Sequence, residues 1–290
     1  MIRLMFVRGD GEGGMGNEEW GMGNGEGGRG STIENLKSKI MMKWAILSGI
    51  EGNLAAYEAV IADIKRQSRL IEALYILGDL VGPTPESEKL VERVRKPRRG
   101  ELEPMVCKGW WEEQCLILHG LAATGEPTEL MAKYGGDTAK MLWDSVSRQT
   151  VQWIRNLDFG FFELDCLLIH GTTVSVDEEL TPDSSPIMMC DRLSRMQAHN
   201  LFCGRSGLAF QYQLQAGSIT TGVTTLDSSA ASQTINITPS QVVGVGNVGR
   251  TPGKAIYTLY NPSTNDVEFK TIRYGVNKGF STSLRSTKLA

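Results

Sequence analysis

The side chains able to do acid–base or metal chemistry are few, and most of them stand directly after short apolar runs. The chain holds three histidines, His119, His170 and His199. Asp79 follows Ala73-Leu74-Tyr75-Ile76-Leu77 and Gly78. His119 follows Cys115-Leu116-Ile117-Leu118, and His170 closes the run Phe161–Ile169. Arg205 comes just after Leu201-Phe202-Cys203-Gly204, and Glu51 comes shortly after Trp44-Ala45-Ile46-Leu47. Carboxylates and imidazoles so placed can ligate a divalent ion, and an arginine can hold a phosphate as a planar fork. Each has a structural alternative. Asp79 can cap the turn that follows it, His170 can be a buried imidazole hydrogen-bonded at a strand end, and Glu51 can pair with Arg205. His199, in a polar helix-like stretch, reads as exposed.

The elements that would carry these residues alternate. Trp44–Leu47 predicts a strand, followed by a turn at Gly52-Asn53. A helix then runs through about Arg66, with Leu54, Tyr57, Ile61 and Ile64 at helical spacing. Ala73–Leu77 predicts a second strand, and Glu86–Val94 a helix. Lys96–Glu113, with Pro97, Gly100 and Pro104, reads as a surface insertion sealed by Trp110 and Trp111. Cys115–Leu118 reads as a third strand, Thr138–Asn156 as a helix, and Phe161–Ile169 and Leu201–Cys203 as further strands. The Thr- and Ser-rich stretch Gly217–Thr238 predicts antiparallel hairpins, and Val242–Val248, Ala255–Tyr260 and Val267–Tyr274 are further strands. Beta-alpha-beta order implies a partly parallel sheet covered by helices. In such a sheet ligands gather at the carboxyl ends of the strands, where Ser48–Asn53, Gly78–Gly82, His119-Gly120, His170-Gly171 and Gly204–Gly207 all lie.

Composition narrows the function classes. With Lys+Arg at 30 against Asp+Glu at 33, the net charge of -3 argues against a general nucleic-acid binder. No apolar run reaches the ~18 residues of a membrane span. The beginning of the chain shows no secretory signal pattern, so the expectation is a protein of the cytoplasm. The five cysteines show no CxxC spacing, and Cys166 and Cys203 read as buried free thiols in a reducing compartment. Half of Gly9–Gly30 is glycine, so residues 1–41 read as disordered, with Met41 or Met42 a candidate translation start. The expected domain is 42–275, followed by a loose tail at 276–290. The glycine-rich head has no phosphate-loop motif.

The turns resemble, in order, the signature blocks of the calcineurin-like metallophosphoesterases, closest to their small bacterial phosphodiesterase-like branch. The family's SDIHGN is matched by Ser48-Gly49-Ile50-Glu51-Gly52-Asn53, and its GDLVG fully by Gly78-Asp79-Leu80-Val81-Gly82. Its GNHD is expected at Leu118-His119-Gly120-Leu121, its HG at His170-Gly171, and its GHTH at Gly204-Arg205-Ser206-Gly207. Gly246-Asn247-Val248-Gly249-Arg250 resembles the closing segment. Coverage runs from about Lys43 to Tyr274.

The resemblance implies an α/β fold of two packed mixed β-sheets flanked by helices, an αββα sandwich. It implies hydrolysis of phosphoric esters by two divalent metals that activate a bridging water. Carried over residue by residue, Asp79 and His170 are retained as ligands. Gly49 stands for an aspartate, Glu51 for a histidine, and Arg205 and Gly207 for two histidines. His119 falls either at the asparagine ligand or, one residue along, at the catalytic acid. The expectation is therefore an impaired or non-catalytic relative that binds a protein or a small phosphorylated ligand. It would carry no metal, or a single Zn or Mn at Asp79, His119, His170 and Glu51, with Arg205 paired to Asp79 or Glu51 in place of the other metal. The alternatives are an active phosphodiesterase in which Arg205 holds the phosphate, and a structural subunit of an assembly.

Overall fold

The structure, a computed structural model, describes residues 4–6, 42–67, 69–122, 127–221, 233–237 and 239–275. Alternation along the strands sorts the apolar side chains into three separate clusters, and these are the three seams of a layered sandwich. One sheet has the order β13-β12-β2-β3-β4, where β2 is Lys43–Leu47, β3 Ile71–Leu77, β4 Pro104–Cys107, β12 Lys254–Asn261 and β13 Asp266–Arg273. The other has the order β1-β5-β6-β7-β11-β8, with β1 Leu4–Phe6, β5 Gly160–Glu163, β6 Cys166–Ile169, β7 Asn200–Cys203, β8 Ala209–Leu214 and β11 Ser240–Val245. A separate antiparallel hairpin joins β9, Gly217–Thr221, to β10, Gln233–Ile237.

Trp44 and Ile46 of β2, Tyr75 and Leu77 of β3, and Tyr260 of β12 face Leu168, Phe202 and Val243 across the inter-sheet seam. The alternate residues Ala45, Leu47, Leu74, Ile76, Tyr257 and Leu259 face outward. They pack under α1 (Leu54–Arg66), α2 (Ser87–Arg95), α3 (Trp110–Leu118), α4 (Thr128–Asp144) and α5 (Arg148–Arg155). On the far side Leu167, Ile169, Leu201 and Val242 pack under α6, Pro186–Ser194, through Met189 and Leu193. Helix, sheet, sheet and helix thus follow in four layers. None of the described helices is long and apolar enough to cross a membrane.

Three expectations are corrected. Cys115–Leu118 is the end of helix α3, not a strand. A four-residue apolar run fits either element, and the start signal lies upstream, where the Glu112 carboxylate reaches back to accept the Gly109 N–H at 2.8 Å. The third strand is instead β4, inside the stretch expected to be an insertion. It is parallel to β3, with Pro104 at its first position, where no ladder donor is required. The helix expected over Thr138–Asn156 is two helices, because Ser147 caps a new start by accepting the Thr150 N–H at 3.2 Å. Within the glycine-rich head only Leu4–Phe6 is described, as a strand parallel to β5; the remaining residues of 1–41 and the tail 276–290 lie outside the described residues. Cys166 and Cys203 are buried free thiols.

Candidate functional site

The carboxyl ends of the two sheets meet through one carbonyl. Leu77 O, the last of β3, accepts Ser48 Oγ–H at 2.7 Å from the β2 end and His170 Nδ1–H at 2.7 Å from the β6 end. Beyond it the backbone enters the left-handed region at Gly78 (φ 64°) and Asp79 (φ 51°), an uncommon conformation for a residue with a side chain. Gly78 is required here, since a Cβ would stand 2.3 Å from Gly109 Cα. Glu112 holds the strained turn. Its wholly buried carboxylate accepts the backbone N–H groups of Asp79 at 2.7 Å, Leu80 at 2.8 Å, Val81 at 2.9 Å and Gly109 at 2.8 Å. Burial, and then the charge of Asp79, push the Glu112 carboxyl up to about 7 against these donors.

At the centre lies the guanidinium of Arg250. It donates from Nε to Glu51 Oε1 at 2.6 Å, from Nη2 to Asp79 Oδ2 at 2.9 Å and from Nη1 to the Arg205 carbonyl at 3.1 Å. The space it fills is made by two glycines. A Cβ at Gly207 would lie 2.4 Å from Arg250 Nη1, and one at Gly49 would lie 3.2 Å from Arg250 Nε. Asp79 is fully buried, and its Oδ1 accepts the Trp111 N–H at 2.9 Å. Burial works to lower the Arg250 pKa, but the carboxylates of Glu51 and Asp79 outweigh it and raise it. The same burial pushes the Glu51 carboxyl up, with Arg250 pulling it back. His170 is held neutral by burial. Because its Nδ1–H is committed to Leu77, its Nε2 is a bare lone pair 3.3 Å from Asp79 Oδ1, without a hydrogen-bond partner.

Glu51, Asp79 and His170 are therefore brought to one edge. Arg205 and His119 take other places. Arg205 pairs with neither Asp79 nor Glu51; it lies over the Trp110 ring, 4.8 Å from its centroid, with Glu179 Oε1 at 3.7 Å from Nη1. The counter-charge expected of it is supplied by Arg250. His119 ends α3 and stacks on Trp143 at 4.0 Å. The turn that follows the third strand is Gly109-Trp110-Trp111-Glu112, whereas Leu118–Leu121 lies at the end of helix α3. His199 is exposed beside Asp165. Among the described residues, no three His, Cys, Asp or Glu side chains converge so as to hold a metal ion. The roles of Arg250 and Glu112 were missed, while Trp110 and Trp111 are buried in the core as expected. The signal that could have found Arg250 was the pair of glycines facing a closing segment that ends in arginine.

No family model matches the chain, and no curated protein sequence matches it. Solved structures do. A metallophosphoesterase from Sphaerobacter thermophilus is 17% identical, with 81% of this chain and 89% of that one covered, at a TM-score of 0.57. A cold-active protein-tyrosine phosphatase from a psychrophilic Shewanella (11% identical, 82% and 84% covered) reaches 0.42. An archaeal phosphodiesterase (9% identical, 80% and 100% covered) reaches 0.37. The first of these carries the comparison. Together with the four layers and the convergence of strand ends at Asp79 and His170, it shows that this chain has the calcineurin-like metallophosphoesterase fold.

Proposed function

We propose that this protein uses a phosphoesterase fold without its dinuclear metal chemistry, with Arg250 in the metal position, and that it works by binding a small phosphorylated ligand or a protein. The observation that carries this reading is the guanidinium between Glu51 and Asp79, in the space left by Gly49 and Gly207. A dinuclear site needs lone pairs converging on two cations that share one deprotonated water. Here one Asp79 oxygen is committed to a backbone N–H and the other to a permanent cation. Glycine offers no donor at two of the positions that would supply one, and with the resemblance's third block set at the turn after β4, Trp110 stands at the asparagine ligand with only an N–H to give. A guanidinium so close to a would-be ion repels it, while it neutralises the buried carboxylate that would otherwise be left uncompensated. The residues present therefore do not fit a pair of divalent ions.

The competing reading, a working phosphodiesterase with a rearranged ligand set, is short of His119, whose neighbours are Trp143 and Arg148. Turnover of bis(p-nitrophenyl) phosphate in the presence of Mn, Zn or Ni separates the two. The binding reading predicts none above background. Turnover abolished by Asp79→Ala would establish the enzyme instead.

A further inference from the structure

We infer that β8 is a docking edge for a second copy of this chain, the two β8 strands pairing antiparallel about a two-fold axis so that the sheets of both copies run on as one. A strand at the edge of a sheet leaves a row of N–H and C=O groups unpaired, and folded chains guard such rows with charge, proline, brevity or a covering segment. The two larger sheets end in β13, β4, β1 and β8, and the first three are guarded. β13 carries Asp266, Glu268, Lys270 and Arg273, and Glu268 is held by Lys43 at 2.9 Å and by Lys270 at 3.4 Å. β4 opens on Pro104, and Asp158 bridges to Cys107 at its end. β1 is three residues long.

β8 has none of these guards. Among the described residues it pairs with β11 alone, and residues 209–217 contain no charged side chain and no proline. Ala209, Gln211, Gln213 and Gln215 are exposed. The Leu208 carbonyl turns inward to accept the Gly246 N–H at 3.1 Å. By the alternation of an antiparallel ladder, the N–H and C=O groups of Ala209, Gln211 and Gln213 therefore point out from the sheet edge. The hairpin of β9 and β10 lengthens the same ribbon. Leu214 stands opposite Ser240 and, three residues along each strand, Gly217 stands opposite Ile237, so the register passes on without a slip.

The chemistry of the edge names its occupant. An uncharged strand meets its own copy without repulsion, and an amide side chain both donates and accepts, so glutamine is complementary to glutamine. A two-fold axis at Tyr212 sets Gln211 of each copy opposite Gln213 of the other, with their outward backbone groups face to face. The seam side of the sheet already carries the start of such a row. Gln211 lies opposite Val243, a residue of the inter-sheet core. Its Nε2–H donates to Gln241 Oε1 at 2.7 Å, and Gln241 Nε2–H donates to Asn200 Oδ1 at 2.7 Å, one amide on each of β8, β11 and β7. Gln213 of the second copy extends that row by one strand. A polar cavity of about 630 Å³, lined in part by Gln211, Gln213, Gln241 and Asp266, leaves room for it. The two-fold satisfies both edges at once and closes the assembly.

Sedimentation velocity of the full chain, from low to high micromolar concentration, tests this. The expected result is a monomer–dimer equilibrium that saturates at the dimer. Gln211→Lys with Gln213→Lys sets lysine against lysine twice and should weaken the dimer roughly tenfold or more. Gln211→Glu with Gln213→Lys sets opposite charges against each other at the same positions and should bring it back to within about threefold of the parent. Both positions are exposed, and a urea midpoint for each variant shows that it folds. Gln213→Lys alone leaves the Gln211–Gln241 bond in place and decides the outcome if a double variant does not fold; it should weaken the dimer about threefold. A chain that stays monomeric throughout, or a dimer that the folded lysine variants leave unchanged, would overturn the proposal. So would a glutamate–lysine chain no tighter than the lysine pair, or oligomers that grow past the dimer. Each of these results leaves the reading of Arg250 standing, since that reading turns on metal content and turnover.

Discussion

Two arginine-centred clusters use the same ionic chemistry on different backbones. Arg93, on α2, donates from Nε to Glu58 at 2.8 Å and from Nη2 to Glu101 at 2.7 Å, and Arg98 adds a second grip on Glu58 at 2.8 Å. Glu58 and Arg93 sit on regular helices, and the network ties the segment before β4 to them. Arg250 makes bonds of similar length to Glu51 and Asp79, but both carboxylates hang from left-handed residues, at φ 51° each. Unpartnered polar atoms of His170, Arg205, Trp110 and Asn247 gather around the strand ends, whereas the first cluster leaves Arg93 Nη1 without a partner. The first cluster fastens a loop. The second is held on two residues in the left-handed region, and strain of that kind gathers at functional sites.

The sharpest way to break the comparison is to remove each arginine. Arg250→Met strips the counter-charge from a wholly buried carboxylate and should lower the unfolding free energy by about 3–5 kcal/mol. Adding Asp79→Asn in the same chain should recover part of the loss, and urea unfolding of the two variants measures both. Glu112→Ala leaves the N–H groups of the Asp79 turn without their acceptor, an effect of about 3 kcal/mol by the same measurement. Arg93→Met, with partners nearer to solvent, should lose about 2 kcal/mol. The surface pair Lys43–Glu268 marks the lower end, and Lys43→Met should stay within about 0.5 kcal/mol of the parent.

Much of this architecture was legible because it rests on local pattern. The alternation of Trp44–Leu47 and Ala73–Leu77, the helical spacing from Leu54 to Ile64, and the polar residue after each run placed Asp79 and His170 at one edge. β4 and α3 were exchanged because Pro104–Cys107 and Cys115–Leu118 are both too short for period to decide. The capping role of Glu112 depends on a carboxylate reaching backbone in another loop. Arg250 was invisible for a related reason: it meets Glu51 across 199 residues of sequence and Asp79 across 171, contacts that only the closing of the sandwich creates. Arg205 was given the charge-neutralising role because it stood in the right block, and the side chain turned instead to the Trp110 face.

Acidity sharpens the comparison more gently. Glu112 is raised from 4.5 to about 7, so the folded state binds its proton more tightly than the unfolded chain does. Its contribution to stability is therefore complete below the lower value and declines as pH rises to the higher one. His170 runs the other way. Lowered by burial, it contributes fully above its ordinary 6.5 and loses that contribution as pH falls. The two oppose each other in one window, so His170→Gln should expose a urea midpoint that falls between about pH 5 and 7. The Glu101 carboxyl is lowered and Arg93 raised, both away from that window, and Arg93→Met should leave the profile's shape as in the parent.

The claim on which the rest depends is that Arg250 stands where a phosphoesterase would hold its ions. Elemental analysis of the chain after equilibrium dialysis against manganese and against zinc tests it directly. The account predicts no stoichiometric metal from either bath. Two equivalents of either ion retained per chain would contradict it.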